Sequence, residues 1–230
     1  MKTKEDFLEG QLILIDKPLN WSSFQAVNAV KWAIRKRFQL KKIKVGHAGT
    51  LDPLASGLLI ICAGKFTKRI HEFQDMPKEY EGTITLGSST PSYDKETEVD
   101  NVYPTNHITH ELIHKTKELF LGQIAQKPPV FSALKKDGKR MYEYAREGKK
   151  LEIKARFVEI LGFEILDIDL PEIRFRIQCS KGTYIRSIAH DFGKALNSGG
   201  HLSSLRRTKI GDYNVNNAVT PANFKEVMNV

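Results

Sequence analysis

The run Gly46-His47-Ala48-Gly49-Thr50-Leu51-Asp52-Pro53-Leu54-Ala55-Ser56-Gly57-Leu58-Leu59 places one carboxylate in a glycine-rich setting. Pro53 fixes its own φ and pushes the preceding residue out of the helical region, so Asp52 sits on stiff, extended backbone. Gly46, Gly49 and Gly57 let the chain around it take unusual angles and approach another molecule closely. A carboxylate mounted this way is suited to nucleophilic attack. The same residues also describe an ordinary Asp-Pro turn, and taken alone they leave both readings open.

A nucleophile needs a rigid mount, and the flanking sequence supplies elements for one. Leu58 to Ala63 is an apolar run that reads as a central strand, fed directly by the Asp52 loop. Gln11 to Asp16 reads as a buried strand and Lys17-Pro18-Leu19-Asn20 as the turn after it. Ser22 and Gln25 have capping-box spacing, and Phe24, Val27, Val30, Ala33 and Ile34 recur at helical intervals, which predicts a helix to about Lys36. Glu79 to Leu86 alternates as a half-buried strand does, and Thr109 is placed to cap a helix through Leu121. Strands are predicted near Phe157 to Asp167, Ile173 to Cys179 and Ser203 to Ile210. Helices are predicted from Thr183 to about Leu196 and after Thr220-Pro221. Because helices and strands do not alternate strictly, the expected class is α+β, a mixed and mostly antiparallel central sheet flanked by helices and loops.

The 230 residues, 40% apolar, suffice for a substantial core, and the whole chain is expected to form one catalytic domain. No apolar run reaches the length of a membrane span and the charged start lacks a signal peptide's apolar stretch, which leads to a cytoplasmic expectation with no membrane partner. Cys62 and Cys179 lie in separate apolar runs without metal-ligand spacing and are expected to be reduced core residues. Lysine and arginine number 36 against 27 acidic residues, a surplus of +9 that favours polyanions. Much of this charge falls between Gln126 and Lys150, where Lys135, Lys136, Lys139 and Arg140 mix with Phe131, Tyr142 and Tyr144. That segment has too little apolar periodicity for core and reads as a phosphate-contacting insertion.

The Asp52 run resembles the catalytic motif of the TruB family of tRNA pseudouridine synthases, GHxGxLDPxAxGxL. Four further stretches resemble that family in the same order. They are Ile15-Asp16-Lys17-Pro18 with Trp21-Ser22-Ser23, Lys78-Glu79-Tyr80, Cys179-Ser180-Lys181-Gly182-Thr183-Tyr184-Ile185-Arg186, and Leu205-Arg206-Arg207-Thr208. The resemblance spans roughly Gly10 to Gly211 and implies a pseudouridine synthase fold acting on uridine 55 in the T stem-loop of tRNA. It implies no metal or cofactor, no obligate protein partner and a monomer. Asp52 is then the nucleophile toward C6 of the uracil or C1′ of the ribose, a choice the sequence leaves open. Arg186 is its charge partner, and Tyr80 stacks on the base and takes or relays the C5 proton. His47 fills the gap left when the nucleotide swings out, Tyr184 packs beside the site, Leu205 lines the uracil pocket, and Lys17 with Pro18 buttresses the loop. Lys135, Lys136, Lys139 and Arg140 meet RNA phosphates.

The chain departs from the family pattern in two places. Phe131 stands where related sequences often have tyrosine before SALK, which removes any contact through that hydroxyl. Many bacterial relatives also continue into a C-terminal PUA-type domain, whereas this sequence stops at Val230; that domain is expected to be missing, by nature or by truncation. Two competing functions remain in view, a non-catalytic RNA binder and a small-molecule hydrolase. A buried carboxylate facing phosphates weakens mere binding, and a small substrate needs no basic insertion.

Overall fold

In a computed structural model of the chain, residues 2–132, 135–136, 139–141, 144 and 153–230 are described, with only the backbone at 135–136 and 139–140. They form two compact units, Met1–Tyr80 with Leu205–Val230, and Glu81–Ser204. Neither boundary falls at a linker or a shift in composition, because both lie inside strands.

The first unit opens with α1 (Lys4–Glu9), held by a reciprocal cap between Thr3 and Asp6, and continues into β1 (Gln11–Lys17). Helix α2 (Ser23–Phe38) starts where its capping box predicts. The Ser22 hydroxyl accepts the Gln25 amide and the Gln25 side chain accepts the Ser22 amide at 2.7 Å. The glycine-rich stretch conceals a short strand, β2 (Val45–His47), which pairs antiparallel with β3 (Ala55–Ala63), His47 opposite Ile61. Along its other edge β3 pairs antiparallel with β1, Ile15 opposite Leu59. Its alternate residues serve two cores. Leu59 and Ile61 pack with Val27, Val30 and Ile34 of α2, while Leu58, Ile60 and Cys62 pack with Phe73 and Ile210. An unbroken apolar run is what a strand buried on both faces requires, and each such Leu or Ile contributes roughly 1.5–3 kcal/mol. After a 3-10 turn and α3 (Ile70–Asp75), β4 (Lys78–Leu86) carries the chain into the second unit.

There β5 (Ser88–Ser89) pairs with β6 (Asn101–Val102), and α4 (His110–Glu118) follows its Thr109 cap. A backbone hairpin, β8 (Lys135–Lys136) and β9 (Lys139–Arg140), comes after β7 (Gly122–Gln126). The sheet order is β4, β11 (Glu172–Cys179), β10 (Arg156–Asp169), β7, with β7, β10 and β11 antiparallel. Phe120, Phe163, Phe175 and Phe192 form its core, their rings in contact at centroid distances of 5.6 to 6.4 Å. Helix α5 (Ile185–Ala195) does not begin at Thr183. That hydroxyl donates to the Ser180 carbonyl at 3.0 Å, which draws it into the preceding turn and leaves Tyr184 as the boundary.

Strand β12 (Gly200–Ile210) returns the chain to the first unit, where Leu205–Arg207 run parallel to Ala55–Gly57 of β3. β13 (Tyr213–Asn214) folds back on its end, and α6 (Pro221–Val227) follows Thr220 as expected. Parallel and antiparallel pairs on β3 make the sheet mixed, and the class is α+β. Cys62 and Cys179 are buried thiols. Among the described residues, no helix is long and apolar enough to cross a membrane.

Candidate active site

Asp52 lies in the loop between β2 and β3, and hydrogen bonds hold the backbone on both sides of it. Its carbonyl accepts the Ala55 amide at 3.0 Å, closing a turn with Pro53 at the second position. The Pro53 carbonyl accepts the Asn20 amide at 2.8 Å. On the other flank, the Ser23 hydroxyl donates to the Leu51 carbonyl at 3.0 Å and accepts the Leu51 amide at 2.8 Å. The segment from the end of β1 to the start of α2 thus grips the loop on either side of the half-buried aspartate.

Lys17 closes β1 and is fully buried, its ammonium donating to the Pro18 carbonyl at 2.9 Å and the Trp21 carbonyl at 2.5 Å. Burial pushes its pKa down to about 8, against the Asp52 carboxylate, the largest charge effect upon it, and with the help of Arg207. Pro18, half-buried, opens the turn and supplies one of the two anchoring carbonyls. Arg207 is also fully buried. Its Nε donates to the Leu58 carbonyl at 2.7 Å and its Nη2 to the Gly49 carbonyl at 3.1 Å, so it joins the loop before Asp52 to the strand after it. His47 is half-buried, and burial first, then Arg207, lowers its pKa, so it stays neutral at neutral pH. Gly57 explains the close approach of β12. Its φ is +104°, and a Cβ there would meet the Arg207 carbonyl oxygen at 2.3 Å.

Leu205, half-buried on β12, stands opposite Ala55. Tyr80 is buried near the start of β4 beside Glu79, whose carboxylate accepts the Thr208 hydroxyl at 2.7 Å and pairs with Lys209 at 3.2 Å. Asp52, Lys17, Pro18, His47, Tyr80 and Leu205 therefore all belong to the first unit. Arg206, next to Leu205, clasps Asp16 through two bonds of 3.0 and 2.7 Å.

Arg186 and Tyr184 belong to the second unit. Arg186, buried in the first turn of α5, donates from Nη1 to the Ser92 carbonyl at 3.4 Å, and its Nε lies 3.6 Å from Asp94 Oδ2. Asp94 is buried as well, with Oδ1 accepting the Glu96 amide at 2.9 Å. Tyr184 exchanges two backbone bonds with the Gln126 side chain, at 2.8 and 3.1 Å, and carries the Arg156 guanidinium 4.9 Å above its ring. Lys135 pairs opposite Arg140 and Lys136 opposite Lys139 along the hairpin backbone. Their side chains, and residues 145–152 of the basic segment, lie outside the described residues.

Three residues escaped the sequence reading. Ser23 and Arg207 sit inside motifs already singled out, and their signal was that position. Asp94, in the stretch Thr90-Pro91-Ser92-Tyr93-Asp94, carries no spacing that sets it apart from a surface loop.

Comparison with known proteins places this geometry. A profile described as "TruB family pseudouridylate synthase (N terminal domain)" matches residues 35–185, and one described as "tRNA pseudouridylate synthase B C-terminal domain" matches residues 186–230. The tRNA pseudouridine synthase B of Flavobacterium johnsoniae is 62% identical over 225 residues, covering 97% of this chain and 98% of the relative. That of Phocaeicola vulgatus is 53% identical over 221 residues, covering 96% and 94%. A chain in the solved structure of an H/ACA RNP bound to a substrate RNA containing 2′-deoxyuridine aligns with a TM-score of 0.68 at 26% identity. That alignment covers 96% of this chain and 53% of the other, so this chain spans about half the length of that protein. With one family matched from residue 35 to the end and full-length relatives above half identity, the chain is a member of the TruB family of pseudouridylate synthases.

Proposed function

We propose that this protein isomerises uridine 55 in the T loop of tRNA to pseudouridine, with Asp52 as nucleophile. The observation that carries the proposal is the Asp52 loop itself. A carboxylate on backbone pinned at both flanks, with buried Lys17 in electrostatic reach, is a preorganised reagent rather than a surface turn. The names of the full-length relatives support tRNA as substrate.

The target nucleotide leaves its stack, at a cost of a few kcal/mol, and His47 fills the gap. Asp52 adds to C6 of the uracil or C1′ of the ribose, the N1–C1′ bond breaks, and the base turns within a pocket lined by Leu205. C5 bonds to C1′, the C5 proton leaves through the Tyr80 hydroxyl while N1 takes up one, and the carboxylate is released. Atoms and electrons balance within the nucleotide, so the reaction calls on no metal or cofactor. Arg186 supplies counter-charge and Tyr184 packs beside the site. Lys17 and Pro18 buttress the loop, and Lys135, Lys136, Lys139 and Arg140 hold phosphates. The protein works in the cytoplasm as a monomer.

Incubating the protein with unmodified tRNA transcript and mapping pseudouridine by nucleoside-specific chemistry tests this. Modification at position 55 is expected, and its loss in Asp52→Asn with tRNA affinity retained. Full turnover by Asp52→Asn defeats the proposal.

A further inference from the structure

The loop carrying Asp94 meets helix α5 at two successive turns. Ser92 and Asp94 engage Arg186 through a carbonyl at 3.4 Å and a carboxylate at 3.6 Å. Tyr93, between them, stacks on His190 of the same helix, ring centroids 3.9 Å apart and planes 16° from parallel. Arg186 and His190 are four residues apart and so share a helix face.

The side chains of Tyr93 and Asp94 both address one helix, which extended backbone does not allow, since adjacent side chains there point to opposite faces. Tyr93 meets the requirement by adopting the left-handed conformation, with φ of +65°. A bulky non-glycine residue holds that conformation only where its surroundings impose it. Here the imposing contacts are explicit. The Tyr93 amide donates to the Thr90 carbonyl at 3.1 Å, its carbonyl accepts the Leu202 amide at 2.9 Å, and its ring lies on His190. The Asp94 carbonyl is tied down as well, by the Thr90 hydroxyl at 2.7 Å and the Ser92 hydroxyl at 3.1 Å. Burial lowers the His190 pKa, with Lys194 one turn on acting in the same direction, so the stack is formed by a neutral imidazole.

We infer that Tyr93 and His190 are positioning residues, an aromatic clamp that fixes the Asp94 carboxylate against Arg186 and so sets the orientation of the Arg186 guanidinium. The inference rests on the reading of Arg186 as the counter-charge of the reaction. An arginine side chain has several rotatable bonds, and a partner at 3.6 Å constrains it only if the partner's own backbone is fixed. Removing the ring takes away the stack on His190 and leaves the loop held to α5 through Arg186, by the Ser92 carbonyl and the Asp94 carboxylate.

The test compares substitutions by single-turnover rate at saturating enzyme, tRNA affinity and thermal midpoint. Tyr93→Gly deletes the ring at a residue type that tolerates positive φ, so loss of the clamp is not confounded by strain. It is expected to slow the single-turnover rate about tenfold while tRNA affinity stays within about twofold. Tyr93→Phe and His190→Phe keep two stacked rings and are expected to stay within about twofold of the parent rate. In an Asp94→Asn background, Tyr93→Gly should add little, because both changes act through one contact. A parent-like rate for Tyr93→Gly overturns the inference. So does a rate loss matched by equal loss of tRNA affinity, or full additivity with Asp94→Asn. Arg186→Ala, run in parallel, separates the failures. If it turns over normally, the role of Arg186 is wrong whatever the clamp does; if it is inactive while Tyr93→Gly is not impaired, the clamp alone fails.

Discussion

Lys17 shows how one buried side chain reports on the site around it. An ammonium with no solvent contact and a pKa near 8 binds its proton less tightly in the folded chain than in the unfolded one, where the ordinary value is 10.5. Between those values the unfolded state holds more protons, so stability rises with pH. The unfavourable contribution is complete below about pH 8 and fades toward 10.5. Denaturant unfolding at pH 7.5 and 9.5 should show the parent gaining about 2 kcal/mol relative to Lys17→Met, which has nothing to titrate there. Equal pH dependence in the two proteins contradicts the assignment. His47 runs the same way in a lower pH window. Its depressed pKa means that only the unfolded state takes up the proton as pH falls below 6.5, so acid removes stability through this residue. His47→Phe is expected to flatten the decline between pH 6.5 and 5, measured by the same unfolding curves. That residue 17 precedes a proline turn was legible from the chain; that it is fully buried beside the Asp52 charge was not, because burial is decided by strands brought from elsewhere.

The elements around Asp52 act as a frame, and two of their contacts can be cut singly. Ser23, in the first turn of α2, satisfies both the amide and the carbonyl of buried Leu51. Ser23→Ala leaves both without that partner, at a cost of roughly 1–3 kcal/mol. Turnover should fall about tenfold with tRNA affinity unchanged, since only the reagent is loosened. Chemical denaturation together with single-turnover kinetics checks both halves. Gly57→Ala places a methyl into the Arg207 backbone where β3 and β12 run parallel, at a φ that alanine resists. Its expected cost exceeds about 1 kcal/mol, read from the thermal midpoint. At this scale most of the fold was legible. The apolar run of β3, the capping box of α2 and the alternation of β4 are local patterns with local causes. The exceptions have physical reasons. β2 is three residues of glycine-rich chain that become a strand only because Ile61, Cys62 and Ala63 offer them an edge. Thr183 looks like a helix cap but spends its hydroxyl on Ser180.

For the molecule as a whole, charge is the property that bears on its substrate. A cavity of about 690 Å³ in the first unit is lined by Lys31, Arg35, Lys41, Lys42, Lys44 and Lys68, far along the chain from the basic hairpin of the second unit. Surfaces of this sign release counterions when they meet phosphates, so tRNA affinity should fall steeply with salt. Lys41→Glu with Lys42→Glu should weaken binding and lower the slope of log affinity against log salt by roughly one per lost phosphate contact. Titration at three salt concentrations checks this, and an unchanged slope excludes these lysines from the RNA contact. The sequence by itself determined the longer secondary elements, the family, the α+β class and the loop that bears the candidate nucleophile, because each rests on residues that are neighbours along the chain. Tertiary structure alone decided that Arg207 ties Gly49 to Leu58, that Ser23 holds Leu51, and that Asp94 and Tyr93 engage α5. Each of those contacts joins residues separated by tens of positions or more, and no local pattern of residue types records a hydrogen bond that only the packing of distant strands and helices creates.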